Sequence, residues 1–567
     1  MADTQQPPAA RAYDVMRYPA LVHPQTHPDR LFVNATLFGI NPAKPETCRV
    51  LELGCGDASN LIAVAFALPG SQCVGIDTSG AAIADGRKLV EELGLENVSL
   101  LETDVSDLTP DFGEFDYIIA HGLYTWVPPE VREKVMEVCR ANLSPNGVAY
   151  VSYSAYPGGY FRQLVRGLMT YHVRQFPVPE DQARQGRGLI HFLANSAPPQ
   201  RTGDEQRAAP EGSAKAYALR RNDLYRDVLK NELEYMSRTP LAVTYHDDLS
   251  THNQPVFFHE FNDHAVRNGL QYLCEADLVE TQPPVPGAPS TMPPEVLRML
   301  EQIPAANVVA REQYADFVKC RQFRQTLLCH AAAPVQRPPV PQRVTGLFAS
   351  CGVRLLNPNA DLRTMNPEPF ELPNKGTFTV NHSVAKAALV ELGEIWPQRL
   401  RFGELLERCR ARVGDGAAAA PAGPFADSGG GADPFAGALS ELMLTGYAAN
   451  VVSLHGHATG AVTTAGDRPV ASPLARAQAA RGPMVTNLAG ATVDLSGPVG
   501  ARLLVLLDGT RDRDALANDL AAACLRDGQT RARDGVPITD VADMAGVLRA
   551  EMDDHLNTMA RLSLLVG

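Results

Sequence analysis

No apolar run in this 567-residue chain reaches the roughly 20 residues that a membrane-spanning helix needs. Met1 to Arg11 is polar and Pro/Ala-rich and lacks the apolar centre of a signal segment. The expectation is a soluble, cytoplasmic protein with no membrane partner. The ten cysteines contain no Cys-x-x-Cys pair and follow no regular spacing. That sets aside zinc-ribbon and disulfide frameworks and suits thiols kept reduced in a cytosol. Basic excess is missing as well: 51 Lys+Arg stand against 64 Asp+Glu, a formal net charge of −13. Nucleic acid is therefore not expected as a partner, because phosphate binding needs a basic surface. Lysine is scarce, with eight residues and none after Lys386, which reads as genome composition rather than function.

What is present is an ordinary globular composition, 45% apolar and 20% charged, able to bury sizeable cores. At about 150 residues per domain the length suits three or four domains. The most informative stretch is Arg49-Val-Leu-Glu-Leu-Gly-Cys-Gly-Asp57. Val50, Leu51 and Leu53 read as a strand buried on both faces, as in a parallel sheet. Gly54 and Gly56 then allow a sharp turn with the backbone close to a ligand. Leu61, Ile62, Ala65, Phe66 and Leu68 recur at helical spacing, and Pro69-Gly70 ends that helix. Cys73 to Asp77 is a second strand ending in an acid, placed to accept hydrogen bonds from a ribose diol. A dinucleotide site would want a third glycine at position 59, which is Ser, so the pyrophosphate cradle is absent. Val98 to Leu101 and Phe115 to His121 read as third and fourth strands, with Asp104-Val105 between them.

In this order the motifs resemble a class I S-adenosylmethionine-dependent methyltransferase. The resemblance implies that Glu52, Gly54 and Gly56 line the methionine end, that Asp77 binds the ribose hydroxyls, and that Asp104 and Val105 hold the adenine of S-adenosyl-L-methionine. Ala58 stands where many members carry a third glycine, and its small side chain is expected to do no harm. The transferred methyl should then sit at the end of the fourth strand, where His121-Gly-Leu-Tyr-Thr-Trp-Val-Pro128 follows. Tyr124 and Trp126 are the candidates for an aromatic wall, since ring faces attract sulfonium and ammonium cations. His121 is either a base or a structural histidine with satisfied nitrogens.

The expected fold is α/β: a Rossmann-like doubly wound core, a helix-rich middle domain and an α+β, winged-helix-like C-terminal region. Residues 1–47 form a lead-in, read either as a lid on the cofactor or as a plain N-terminal cap. Residues 48–157 form the core, 158–330 a helical block, 331–343 a Pro-rich linker and 344–567 an accessory region. Within the block, 258–274 reads as one helix. Gln182-Ala-Arg184, Tyr245-His-Asp-Asp-Leu249, Phe258-His-Glu-Phe261, Gly269-Leu-Gln-Tyr-Leu273 and Phe323-Arg-Gln-Thr-Leu-Leu328 resemble the regulatory domain of one methyltransferase family. That family includes rickettsial enzymes that methylate lysines of outer-membrane proteins. His259 and His264 are five apart, roughly 140° around a helix, so no metal site is expected from them. The leading expectation is a protein lysine N-methyltransferase with a protein or peptide partner. The alternatives are a small-molecule or modified-peptide methyltransferase and a cofactor-binding regulator.

Overall fold

The computed structural model describes residues 15–19, 21–196, 214–282, 285, 292–414, 433–529, 531–533 and 536–567. Tyr13-Asp14, the loop at 197–212, all but Val285 of Pro283 to Pro289 and residues 415–432 lie outside them, with the expectations attached to those stretches. Short apolar runs build one seven-stranded sheet: β1 (Arg49–Leu53), β2 (Gln72–Asp77), β3 (Val98–Glu102), β4 (Phe115–Ala120), β5 (Leu143–Ser154), β6 (Leu270–Glu275) and β7 (Phe323–His330). Their order is β3-β2-β1-β4-β5-β7-β6. β1 to β5 pair in parallel, whereas β7 runs antiparallel to both β5 and β6. The order reverses beside β1, and a crevice at the strand carboxyl ends follows at that switch point.

Alternate strand residues face opposite sides, and each side has its own core. Val50, Tyr117, Ile119, Val148 and Tyr150 pack with α1 (Pro28–Leu37) and α2 (Ser59–Ala67). α3 (Gly80–Leu93) starts on a Ser79 hydroxyl that accepts from Ala82 N–H at 3.2 Å, and stops at Gly94, φ +62°. Leu51, Ile118, Ala120, Ala149 and Val151 face the other way, with Val135 and Met136 of α4 (Pro129–Ala141).

The helical block divides differently from the sequence reading. Helices α5 (Gly159–Val173), α6 (Pro179–Asn195) and α7 (Ala214–Ser237) share a separate small core around Val165, Met169, Ile190 and Leu229. α8 (Phe258–Arg267) instead lies against the sheet through Phe261 and Ala265. The helix expected over 258–274 breaks at Gly269, whose φ of +73° turns the chain into β6. After α9 (Pro294–Glu301) and α10 (Val308–Lys319), β7 inserts between β5 and β6. Residues 48–157 thus supply five of the seven strands, and the other two come from within 158–330.

Beneath the paired strands β6 and β7 lies a buried ion cluster. Arg324, fully buried, donates to Glu275 Oε1 at 2.5 Å, to Glu312 Oε2 at 2.9 Å and to both Asp316 oxygens at 2.8 Å. Its guanidinium also sits 4.1 Å over the Phe258 ring.

Past the Pro-rich stretch, Phe348–Ser350 is the centre of a three-stranded sheet with Leu400–Arg401 and Ser453–His455. The last of these strands is only three residues long because the chain before it, Pro434–Ala448, is helical. This region is not separable at 340: Leu347, Ala349, Phe402 and Leu454 belong to the same continuous core as α1 and β1. The last hundred residues do have their own core, built from Leu503, Leu516, Leu520, Leu548 and Met552. They touch the rest through Leu474, an Arg481–Glu92 ion pair, and a bond from Trp396 Nε1 to the Arg561 carbonyl at 2.8 Å. No helix among the described residues is long and apolar enough to cross a membrane.

Candidate functional site

The carboxyl ends of β1, β2 and β4 open into a cavity of about 1150 Å³. Its floor is the glycine turn. Gly54 and Gly56 adopt φ of +69° and +58°, and the N–H groups of Gly54 and Cys55 both donate to the Ile76 carbonyl, at 2.9 and 3.0 Å. A side chain at Gly56 would meet nothing in the protein within 4 Å, so what a Cβ would obstruct is the cavity itself. Ala58 is also left-handed, φ +58°, at the start of α2. Its size does no harm, but its conformation costs about 1 kcal/mol that glycine would not.

Asp77 ends β2 with each carboxylate oxygen already fixed: Oδ2 accepts from Gly56 N–H and Oδ1 from Ser79 N–H, both at 2.8 Å. A carboxylate has about four lone-pair sites, so both oxygens can still accept from a diol. Asp104 accepts from Ser106 N–H at 2.8 Å, and Val105 beside it is a buried apolar contact on the same cavity. Glu52 is 4% exposed; Oε1 accepts from Asn60 Nδ2 at 2.8 Å, while Oε2 has no partner among the described residues. Burial pushes its carboxyl up to about 8. A cationic ligand group beside Oε2 would draw it back down. The six residues expected to hold the cofactor therefore converge on one cavity, and a ribose-bearing ligand with a cationic end fits their chemistry.

The three acceptor-side residues part company. Trp126 lines the cavity, and its Nε1 is buried without a partner among the described residues. His121 lines it too, with Nδ1 3.0 Å from the Tyr150 hydroxyl and its ring 3.8 Å from that of His23. Burial, with the charge of His23, lowers the His121 imidazole to about 3, so it is neutral and a poor base at ordinary pH. Tyr124 is not part of the wall. Only 3% exposed, it packs on Tyr153 and Phe261, and its hydroxyl meets His264 Nδ1 at 2.7 Å. The chain turns here, with Trp126 N–H donating to the Leu123 carbonyl at 3.0 Å, so that one ring packs in the core and the other lines the cavity.

Other cavity residues come from the lead-in, which the sequence offered as a lid without naming contacts, and from the helical block. Arg17, Tyr18, Leu21 and His23 bring the lead-in over the cavity, and His23 N–H is held by Asn60 Oδ1 at 2.9 Å. The helical cap contributes Arg162, Glu232, Tyr235 and Asp247. The only sequence signal for the last was its place in Tyr245-His-Asp-Asp-Leu249.

The lead-in is anchored from behind by Asp29 on α1. Its carboxylate meets His455 Nδ1 at 2.7 Å, the Gly456 N–H at 2.6 Å and Arg399 at 3.7 Å. Burial raises the Asp29 carboxyl, but His455 and Arg399 outweigh burial and hold it well below the usual range. His246 Nε2 meets the Met16 carbonyl, His259 meets Gln313, and His264 bridges Tyr124 and Glu133.

Comparison with known proteins agrees with this layout. Residues 50–147 match the family described as "Methyltransferase domain", 242–330 "Predicted methyltransferase regulatory domain", and 467–564 "PKMT, C-terminal winged helix domain". The uncharacterized protein RP789 of Rickettsia prowazekii is 36% identical over 326 residues, 57% of this chain and 54% of that protein. The alignment thus spans about half of that relative's length. RP028 of the same organism is 32% identical over 262 residues, 46% of this chain and 96% of that protein. Among solved structures, PKMT2 from Rickettsia typhi superimposes with a TM-score of 0.78 at 26% identity, covering 97% of this chain and 100% of that one. The same protein in complex with AdoHcy gives 0.77 at 25% identity, with the same coverage.

Proposed function

Because the chain belongs to the class I S-adenosylmethionine-dependent methyltransferases that carry a methyltransferase regulatory domain, we propose that it methylates lysine side chains of a protein substrate. One observation carries this reading. The cavity continues from the nucleoside-binding residues to carboxylates and aromatic rings under the helical cap, and at about 1150 Å³ it exceeds one ligand pocket, for which roughly 300–1,000 Å³ is usual. The full-length likeness to PKMT2 supports it. The ten free thiols support a cytoplasmic setting.

S-adenosylmethionine, when bound, supplies a methyl group on a positively charged sulfur. The chain's part is positioning. Asp77, Asp104 and Val105 orient the nucleoside, and Glu52 faces the methionine end. His23 and Leu21 cover the site and exclude water. Trp126, on the cavity wall, would offer its ring to the cationic partners of the reaction. A lysine amine has an ordinary pKa near 10.4, and burial in this cavity lowers it towards the neutral, nucleophilic form.

Trp126→Ala is expected to lower turnover about five- to thirty-fold at saturating cofactor, the equivalent of a cation–π contact of about 1–2 kcal/mol. Cofactor affinity should stay within a few-fold. Tyr124→Ala should instead lower stability, by about 3–5 kcal/mol. Comparable turnover losses in folded samples of both variants would return Tyr124 to the wall.

The function itself is tested with tritiated S-adenosylmethionine and a cell lysate, followed by hydrolysis of labelled protein. Methyl-lysine is the expected product. Label confined to metabolites would favour a small-molecule methyltransferase, and no label at all a cofactor-binding regulator. A truncation separates the accessory parts. Removing 467–567, which has its own core, should leave cofactor affinity within a few-fold and raise KM for a protein more than for a short lysine peptide. An unchanged KM ratio would deny that module a substrate role.

A further inference from the structure

Tyr245-His-Asp-Asp-Leu249 carries two adjacent acids that the fold uses differently. Thr244–Asp248 forms one π-helical turn, a form that recurs at functional sites. Asp248 is fully buried and turns towards α5, where Arg162 holds it through Nη2 at 2.8 Å and Nε at 2.6 Å. The same guanidinium donates to Glu232 at 2.8 Å and stacks 4.6 Å over the Tyr235 ring, so its donors are largely committed. Asp247 lies on the cavity wall, with the Tyr18 hydroxyl 3.4 Å from Oδ2. No ion pair to Asp247 is formed among the described residues.

The other acids on that wall have work elsewhere. Glu232 and Asp85 are in ion pairs, with Arg162 and with Arg17 and Lys88. Glu234 pairs with Arg238. Asp57, Asp77 and Asp104 accept from backbone N–H groups of the nucleoside site. Two buried polar atoms on the same cavity, Glu52 Oε2 on a side chain 4% exposed and Trp126 Nε1, also have no partner among the described residues. The cavity is thus built to receive polar ligand groups, and among the described residues Asp247 is the carboxylate on the side of the helical cap that has neither a cation nor a backbone N–H donor on its side chain.

We propose that Asp247 binds the ε-ammonium of the acceptor lysine and takes up the proton that must leave before methyl transfer. This rests on the lysine-methyltransferase reading above. The ammonium gives one proton to the carboxylate, leaving a neutral amine and a carboxylic acid. The nitrogen lone pair then forms the new C–N bond while the C–S electron pair returns to sulfur, and the carboxylic acid releases its proton to solvent. Burial and the neighbouring Asp248 charge push the Asp247 carboxyl up to about 7, against the opposing pull of Arg162 and the Tyr18 hydroxyl. A base in that range suits proton transfer near neutrality. Among the described residues, Tyr235 on α7 also faces it.

The test compares Asp247→Asn and Asp247→Glu with the unaltered full-length protein on a lysine peptide. Wild-type kcat/KM should rise with pH through about 7 as this carboxylate ionises. Asp247→Asn should lose that limb and fall about a hundredfold or more, with cofactor affinity by calorimetry within a few-fold. Asp247→Glu, which keeps the charge, should recover part of the rate and the limb. If wild type methylates lysine and a folded Asp247→Asn keeps both its rate and its pH profile, the inference fails alone. If wild type methylates no lysine, the function reading fails and takes the inference with it.

Discussion

Arg324→Leu is expected to destabilise the protein by about 3–5 kcal/mol, the cost of removing one partner from a buried ion cluster. Three carboxylates, Glu275, Glu312 and Asp316, would remain under the β6/β7 pair without their shared cation. Arg321 still reaches Asp316 at 2.7 Å, but it is committed to Glu280 as well. Burial already holds the Glu312 and Asp316 carboxyls above their usual range despite Arg324, and without it they rise further. Groups with raised folded pKa values contribute stability below their unfolded pKa and lose it as pH rises through the folded value. The variant's deficit should therefore be smallest near pH 4–5 and grow towards neutrality. Denaturant titrations at several pH values read this directly; a deficit independent of pH would mean that the carboxylates are not what the arginine neutralises.

Asp77→Ala should weaken S-adenosylmethionine binding by more than tenfold. Hydrogen bonds to a charged group are worth about 1.5–3 kcal/mol each, so losing even one to a ribose hydroxyl reaches that figure. The structure adds a second loss, because the same carboxylate holds the N–H groups of Gly56 and Ser79. Asp77→Asn keeps one acceptor oxygen and should fall between the two. Calorimetry on folded protein checks the order, and an unchanged dissociation constant for Asp77→Ala would falsify the ribose assignment.

The parts legible in the sequence are those governed by neighbours along the chain. The Gly54/Gly56 turn, the acid ending β2 and the apolar run of β4 are local patterns, and they were enough to gather six cavity-lining residues in one crevice. Tyr124 and Trp126 look equivalent in sequence, since both follow the same strand. What separates them is Phe261 and His264, more than a hundred residues away. β6 was hidden for a similar reason. Leu270 to Cys274 carries an apolar content that also suits the end of a helix, and its identity as a strand depends on pairing with β7. The Pro-rich stretch at 331–343 looks like a boundary, yet the core runs straight through it because Leu347 and Phe402 belong to the same continuous apolar cluster as the α1 side chains. Asp247 could be seen in its motif, but only the ion pairs around Asp248 distinguish one acid of the pair from the other.

The anchor at Asp29 has a consequence for how the two ends of the molecule communicate. The segment covering the crevice leads into α1, whose Asp29 carboxylate also holds His455 and the Gly456 N–H, so the lead-in and the strand Ser453–His455 share one anchor. Coupling free energies are reciprocal. If a polypeptide on the C-terminal half tightens this grip by some factor, cofactor occupancy must strengthen polypeptide binding by the same factor. Ligand order in such a molecule is then a matter of concentration, with neither partner needing to arrive first.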